Sequence, residues 1–332
     1  MRPAELLDTE HDRTAFERLA GCVAAGNALA LVGAGFSARA GYPQWNELLQ
    51  RMTDMVEEHA KSVAPQGAAT VRALPETLAK YDDVLWRAEE LRDRLHDDRY
   101  FALIESVFEV APEQDDCIDM LVRLPFRHII TTNYDRSLEL AYEKMRKEKI
   151  EAVNWADEQE VLRMMFSLVQ HDASPRLVYL HGRADECRTI VLTDQDYSRQ
   201  YVRSDATVRK LFALFAMHRI VFFGFSLTDP DLLAILRQVA GALGYGEPRH
   251  FAFVPIDKGK DREVDRKRLA RKFGISAIFY DRANRHERLK ELMRVLVERC
   301  EGGAAAAADR LEARGAEPAT LDSVPTPSPV RP

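Results

Sequence analysis

Four short clusters of glycine and polar residues contain the side chains that are best suited to chemistry. They lie at residues 33–37, 133–135, 181–182 and 224–226. The side-chain amide of Asn133 can donate and accept hydrogen bonds at once, so it can hold a water molecule or a hydroxyl group. His181 has a reference pKa near neutrality and can take a proton from either. We therefore predict Asn133 and His181 as catalytic residues.

The first cluster follows the apolar run at residues 28–32 and begins with Gly33-Ala34-Gly35. Its G-x-G-x-x-A spacing predicts a buried parallel strand, a tight turn and the beginning of a helix. Glycine lets backbone N–H groups approach a ligand closely, and the unpaired N–H groups of a helix start favour a phosphate. A glycine turn without any ligand would leave the same pattern, so the argument depends on all four clusters together.

Each cluster comes directly after a predicted strand. Apolar runs at residues 28–32, 127–132, 176–180, 220–223, 250–254 and 276–280 alternate with helical segments, and residues 190–192 are a further candidate for a short strand. This alternation predicts an α/β protein with a Rossmann-like, doubly wound parallel sheet. Ligands bind at the carboxyl ends of the strands in such a sheet, so the four clusters are expected to meet there.

The remaining sequence predicts one domain with an insertion and a tail. Residues 46–125 have helical periodicity and almost no strand pattern, which predicts a helical insertion within a catalytic domain at residues 1–300. Residues 301–332 contain an alanine run and a proline-rich end, a composition typical of a linker or a disordered tail. The alanines could also continue a helix.

Composition and net charge argue against several classes of binding partner and bound metal. The 332 residues have a formal net charge of −6, which argues against broad attraction to nucleic acid or to an anionic membrane. No stretch is apolar enough to span a membrane, and the N-terminus lacks the apolar core of a signal peptide. The four cysteines (Cys22, Cys117, Cys187 and Cys300) are scattered, which argues against a disulfide framework and a tetracysteine zinc site. We expect a cytoplasmic protein with no bound metal, no membrane association and no direct nucleic-acid contact.

The clusters, in this order, resemble the motifs of the sirtuin family. The matching pieces are Gly33-Ala34-Gly35-Phe36-Ser37, Gly41-Tyr42-Pro43-Gln44-Trp45, Thr131-Thr132-Asn133-Tyr134-Asp135, Leu180-His181-Gly182 and Gly224-Phe225-Ser226. The bacterial sirtuin-like proteins of antiphage defence are more similar still, since they favour Gly-Tyr-Pro-x-Trp, Thr-Thr-Asn-Tyr-Asp and an Asp-Pro-Asp after the last motif. The resemblance covers residues 20–285, and the set of motifs is specific although each motif alone is not.

Departures from the deacylase pattern favour one activity of that family. Sirtuin deacylases carry a four-cysteine zinc module and a phenylalanine-glycine-glutamate segment that binds acyl-lysine, and this sequence has neither. Thr132 also replaces the glutamine of the deacylase motif. A chain with the NAD pocket but without the peptide-binding apparatus resembles a glycohydrolase that uses water as the acceptor.

The resemblance also implies a set of NAD-binding residues. They are Gly33, Ala34, Gly35, Phe36, Ser37, Pro43, Thr132, Asp135, Gly224, Ser226 and Asp231. Asp135 would contact the nicotinamide carboxamide. Other roles stay open: Asn133 could only close a turn, Asp135, Asp229 and Asp231 could only cap helices, and His181 could be structural.

The leading hypothesis is an NAD⁺ hydrolase that serves as the toxic effector of a bacterial defence system by depleting NAD⁺. A protein deacylase or ADP-ribosyltransferase is the first alternative, and a catalytically inactive nucleotide-sensing subunit is the second. No cofactor is expected beyond NAD⁺ as the substrate. The resemblance implies a homo-oligomer with a HerA-type ATPase or a short Argonaute as a partner.

Overall fold

A seven-stranded sheet, in which all paired strands are parallel, forms the centre of the protein. A computed structural model of the chain describes residues 3–63, 77–78, 80–170, 173–227, 229–244, 246–256, 259 and 261–315. The strands are β1 (Ala28–Val32), β2 (Ile129–Thr131), β3 (Glu151–Asn154), β4 (Arg176–Tyr179), β5 (Arg219–Phe223), β6 (His250–Pro255) and β7 (Ile275–Tyr280). Their order across the sheet is β3-β4-β2-β1-β5-β6-β7.

The helices that cover this sheet lie on both of its faces. They are α1 (Pro3–Leu6), α2 (Glu10–Ala24), α3 (Ala34–Arg39), α4 (Trp45–Val63), α5 (Val84–Phe108), α6 (Asp116–Arg123), α7 (Ser137–Arg146), α8 (Glu158–Ser167), α9 (Asp194–Tyr197), α10 (Asp205–Met217), α11 (Pro230–Ala242), α12 (Arg262–Phe273) and α13 (Ala283–Gly315). The predicted Rossmann-like, doubly wound α/β fold is confirmed.

Strand β1 shows why the sheet is buried on both sides. All five of its residues are buried, and successive side chains point to opposite faces. Ala28, Ala30 and Val32 join the core beneath helices α2, α5 and α13, whereas Leu29 and Leu31 join the core beneath helices α8, α10 and α11. An uninterrupted apolar strand is what a central parallel strand requires.

In the described residues, the connection between β1 and β2 contains helices and loops but no strand. Helices α3, α4, α5 and α6 lie in it, while residues 64–76 lie outside the described part of the chain. Within the predicted helical insertion, Val84–Phe108 forms a single bent helix. Its bend is at His96, which has φ 59° and ψ 158°.

The strands of the structure differ from the predicted strands at two places. Residues 190–192 form no strand; instead, Val191 N–H donates to the carbonyl of His181 at 2.9 Å, within a loop. Strand β3 was not predicted, because Glu151-Ala152-Val153-Asn154 is a short edge strand whose only fully buried residue is Val153. Apolar content alone cannot identify such a strand.

The last helix continues past residue 301 to Gly315, and residues 316–332 lie outside the described part. The predicted domain boundary at residue 300 stays a prediction. None of the described helices is long and apolar enough to cross a bilayer.

Candidate active site

The four predicted clusters meet at the carboxyl edge of the sheet. Gly33 N–H donates to the carbonyl of Phe223 at 2.9 Å, Thr132 N–H to Val32 at 3.1 Å, and Leu180 N–H to Thr131 at 2.8 Å. These bonds continue the strand ladders by one residue and fix the chain ends of β1, β2, β4 and β5 side by side. The clusters therefore face one common space.

That space is a cavity of about 1170 Å³. It exceeds the roughly 300–1,000 Å³ that is common for small-molecule sites, and it is large enough for a dinucleotide. Eleven of the predicted residues line it: Ala34, Gly35, Phe36, Ser37, Pro43, Thr132, Asn133, Asp135, His181, Gly224 and Ser226. The wall does not include Gly33, which lies at the end of β1, or Asp231, which lies in the first turn of α11.

The glycines of the first cluster permit a close approach between two backbone turns. A Cβ atom at Gly33 or at Gly35 would come within 2.9 Å of the carbonyl oxygen of Gly224. Gly224 has φ +57°, which disfavours any larger residue there. The N–H groups of Gly35 and Phe36 donate to the carbonyls of Gly224 and Gly33. These amides are thus occupied, and the predicted phosphate contact depends on the other N–H groups of the turn.

Asn133 is held in one orientation by backbone partners. Its side-chain nitrogen donates to the carbonyl of Gly33 at 3.0 Å, and its own N–H donates to the hydroxyl of Thr131 at 3.0 Å. Only the NH₂ group of the amide can donate to a carbonyl, so this contact distinguishes the side-chain nitrogen from the side-chain oxygen. Among the residues that the structure describes, the side-chain oxygen has no hydrogen-bond partner, so it can act as an acceptor towards the cavity that Asn133 lines.

Asp135 joins two of the clusters through its carboxylate. The hydroxyl of Ser37 donates to one oxygen in a short hydrogen bond, and the N–H of Ser137 donates to the other at 2.9 Å. Asp135 was considered as an N-cap, but helix α7 begins at Ser137 and Arg136 is its N-cap residue. Through its contact with Ser37, Asp135 connects the turn after β1 with the turn after β2.

His181 lies in a buried cluster of aromatic and acidic groups. Its Nε2 is 2.7 Å from the hydroxyl of Tyr201 and 4.0 Å from a carboxyl oxygen of Asp229. The ring of Tyr197 packs edge-on at a centroid distance of 5.2 Å. Burial lowers the pKa of His181 to about 3, because a charged imidazole would lose its hydration there. The ring is therefore neutral at pH 7.

Asp229, rather than Asp231, supplies an acidic group to the cavity wall. One of its oxygens caps helix α11 by accepting from the N–H groups of Asp231 at 3.1 Å and Leu232 at 2.9 Å. The other accepts from the hydroxyl of Tyr197 at 3.3 Å. Burial raises the pKa of Asp229. The capping role considered for Asp229 is confirmed. Asp229 also lines the cavity.

Sequence reasoning missed Tyr197 and Tyr201. They lie four residues apart, in helix α9 and in the π-helical turn Ser198–Val202 that follows it, so both rings can face His181. Tyrosines spaced by four in a helical segment share one side, and that spacing was the available signal.

Metal ligands do not gather in this site. In the part of the chain that the structure describes, no group of three or more His, Cys, Asp or Glu residues could hold a metal ion. All four cysteines are free thiols.

Comparison with known proteins finds similarity to one domain family and to several curated proteins. Residues 127–278 match the model of the SIR2-like domain. A protein named NAD(+) hydrolase ThsA from Bacillus cereus (strain MSX-D12) is 28% identical over 240 residues, which are 72% of this chain and 45% of that protein. Proteins of the same name from Cytobacillus dafuensis and Enterococcus faecium are each 23% identical, over 227 and 268 residues. They cover 68% and 80% of this chain.

The chain spans less than half the length of each of these relatives. The matched regions include strands β2, β4 and β5 and the clusters that follow them. With the parallel sheet and the cavity at its carboxyl edge, these similarities confirm the predicted sirtuin-like resemblance: residues 127–278 are similar to a SIR2-like domain.

Proposed function

We propose that this protein is an NAD⁺ glycohydrolase, which cleaves NAD⁺ into nicotinamide and ADP-ribose. The observation that carries the proposal is the placement of Asn133, Asp135 and His181 on one cavity at the carboxyl edge of a SIR2-like sheet. The relatives named NAD(+) hydrolase support the same activity.

Cleavage of the nicotinamide–ribose bond passes through a state like an oxocarbenium ion, as in other glycosyl transfers. Nicotinamide leaves as a neutral molecule and needs no proton, so no strong general acid is required. The enzyme must stabilise positive charge on the ribose and place a water molecule. The side-chain oxygen of Asn133 is a fixed acceptor for that water, since the nitrogen is held by Gly33.

His181 is suited to proton transfer because its ring is neutral. A neutral imidazole has a free nitrogen lone pair, which can accept a proton from water or from a ribose hydroxyl. Burial weakens its basicity but also excludes bulk water from the reaction. Asp229, 4.0 Å from Nε2, favours the imidazolium that forms after proton transfer.

Water is the proposed acceptor, which distinguishes this protein from a deacylase or an ADP-ribosyltransferase. The sequence lacks the zinc module and the acyl-lysine segment of the deacylases. In a bacterial cytoplasm, NAD⁺ hydrolysis would serve antiphage defence by depleting NAD⁺. An unrestrained enzyme would kill its host, so we propose a homo-oligomer that a HerA-type ATPase or a short Argonaute activates.

The test is an assay of purified protein with NAD⁺, with and without an acetylated peptide. Nicotinamide and ADP-ribose released in equal amounts without peptide would support the proposal. Nicotinamide release that requires the peptide would indicate a deacylase. Binding of NAD⁺ without turnover, both alone and with the partner ATPase or Argonaute, would indicate a nucleotide sensor.

A further inference from the structure

The segment that follows the cavity loop brings two tyrosines to His181. Helix α9 (Asp194–Tyr197) runs directly into the π-helical turn Ser198–Val202, and π-helical turns are rare and frequently occur at functional sites. The turn carries Tyr201, whose hydroxyl is 2.7 Å from His181 Nε2. Tyr197 and Tyr201 are both at least nine-tenths buried.

This segment is fixed at both of its ends. The side chain of Gln200 donates to the carbonyl of Leu180 at 2.7 Å, immediately before His181. Asp196 is 3% exposed and pairs with Arg199 at 2.9 Å and with Arg92 of the helical insertion at 3.4 Å. Thr193 and Asp196 also form a reciprocal cap at the start of α9. Tyr201 is therefore held in place independently of any substrate.

The groups around Nε2 indicate which nitrogen of His181 carries the proton. In the described residues, Nε2 is the ring nitrogen with a hydrogen-bond partner, and the ring lines the cavity. A carboxyl oxygen of Asp229 lies 4.0 Å from Nε2 and favours a proton on that nitrogen. With the proton on Nε2, the hydroxyl oxygen of Tyr201 accepts it, and Nδ1 keeps its lone pair.

We propose that Tyr201 is a positioning residue for His181: it accepts the hydrogen bond from Nε2–H, fixes the ring, and leaves Nδ1 as the nitrogen that receives a proton in the reaction. The catalytic part of this inference rests on the proposed NAD⁺ hydrolysis. The assignment of the two nitrogens does not, because it depends only on the resting protein.

The first experiment records the histidine side-chain nitrogens by ¹H–¹⁵N correlation spectroscopy, with His181→Asn to assign the signal among the nine histidines. We expect the proton on Nε2 and a bare Nδ1. In Tyr201→Phe, the Nε2–H signal should shift as it loses its partner. A proton on Nδ1 in the wild-type protein, or an unchanged signal in Tyr201→Phe, would overturn the proposal.

The second experiment separates positioning from stability. Tyr201→Phe should lower kcat about 10- to 100-fold, the value of one buried hydrogen bond, while KM changes less than threefold. Tyr142→Phe is the matched control, since it removes a buried tyrosine hydroxyl bonded to Glu148, remote from the cavity. Equal kcat in the two variants would reject the positioning role. If the wild-type protein has no activity on NAD⁺, either alone or with the proposed activating partner, the proposed function fails, whereas the nitrogen assignment is still decided by the spectra.

Discussion

The side-chain nitrogen of Asn133 donates a hydrogen bond of 3.0 Å to the carbonyl of Gly33, across the ends of neighbouring strands β2 and β1. This contact ties the orientation of a predicted catalytic amide to the glycine turn that was identified first in the sequence. The amide is 7% exposed, so solvent does not compete strongly for it. The side chain is thus preorganised before substrate arrives, which lowers the cost of ordering it during the reaction.

Replacement of Asn133 by Ala should reduce NAD⁺ cleavage at least about 100-fold, because the acceptor that positions water is lost. Loss of the bond to Gly33 should lower the free energy of unfolding by about 0.5–1.5 kcal/mol, which leaves the protein folded. Nicotinamide release and denaturant unfolding measure the two effects. Asn133→Asp is the control, since it keeps the acceptor but cannot donate to Gly33. Near-normal turnover in Asn133→Ala would remove this residue from the mechanism.

Replacement of His181 by Ala should also abolish cleavage, and the wild-type rate should show no ionisation of His181 between pH 5 and pH 8. The reason is that burial lowers the pKa of His181 to about 3, so the ring stays neutral over this range. A pH profile of kcat in buffers of constant ionic strength provides the measurement. An inflection near pH 6.5 in the wild-type profile would contradict the burial argument.

Gly224→Ala should destabilise the protein by about 3 kcal/mol or more and disrupt the cavity. Gly224 has φ +57°, and an added Cβ would lie 2.6 Å from the backbone nitrogen of Phe36. Gly21→Ala is a matched control, because nothing lies within 4 Å of its added Cβ. In the interior of helix α2, that substitution should stabilise by about 0.5–1 kcal/mol. Thermal unfolding of both variants tests the contrast, and equal effects would refute it.

Acid should destabilise the fold through two histidines at the amino edge of the sheet. His128 Nδ1 accepts the N–H of Arg176 at 3.0 Å, and His250 Nδ1 accepts the N–H of Ile220 at 3.2 Å. Burial lowers their pKa values from 6.5 to about 4 and about 3. Between pH 6.5 and these values the unfolded state binds more protons than the folded state, so stability falls as the pH falls.

The free energy of unfolding should change by up to about 1.4 kcal/mol per pH unit for each buried histidine. Urea unfolding between pH 7 and pH 5 measures this slope. His128→Gln should reduce this slope relative to the wild-type protein. An identical slope in the variant and the wild-type protein would show that His128 titrates normally.

Much of the architecture could be predicted because it depends on local patterns. The apolar run of β1 and the buried run of β5 identify central parallel strands without further information, and Asp229-Pro230 predicts the beginning of helix α11. The position of a polar residue immediately after a strand also predicts where it will lie, since all the carboxyl ends share one edge. For this reason Asn133 and His181 could be assigned to one site. Strand β3 could not be predicted, because its pairing with β4 rather than its composition makes it a strand.

The amino-acid sequence by itself determined most of the sheet, the edge that holds the site and eleven of the residues on the cavity wall. Tertiary structure alone decided which of those residues touch each other and how they ionise. Tyr201 is twenty residues from His181 in the chain, yet their side chains are 2.7 Å apart. The same packing that brings them together excludes water, and that exclusion lowers the pKa of His181. Hydration is a property of the whole fold, so no motif of a few residues can encode it.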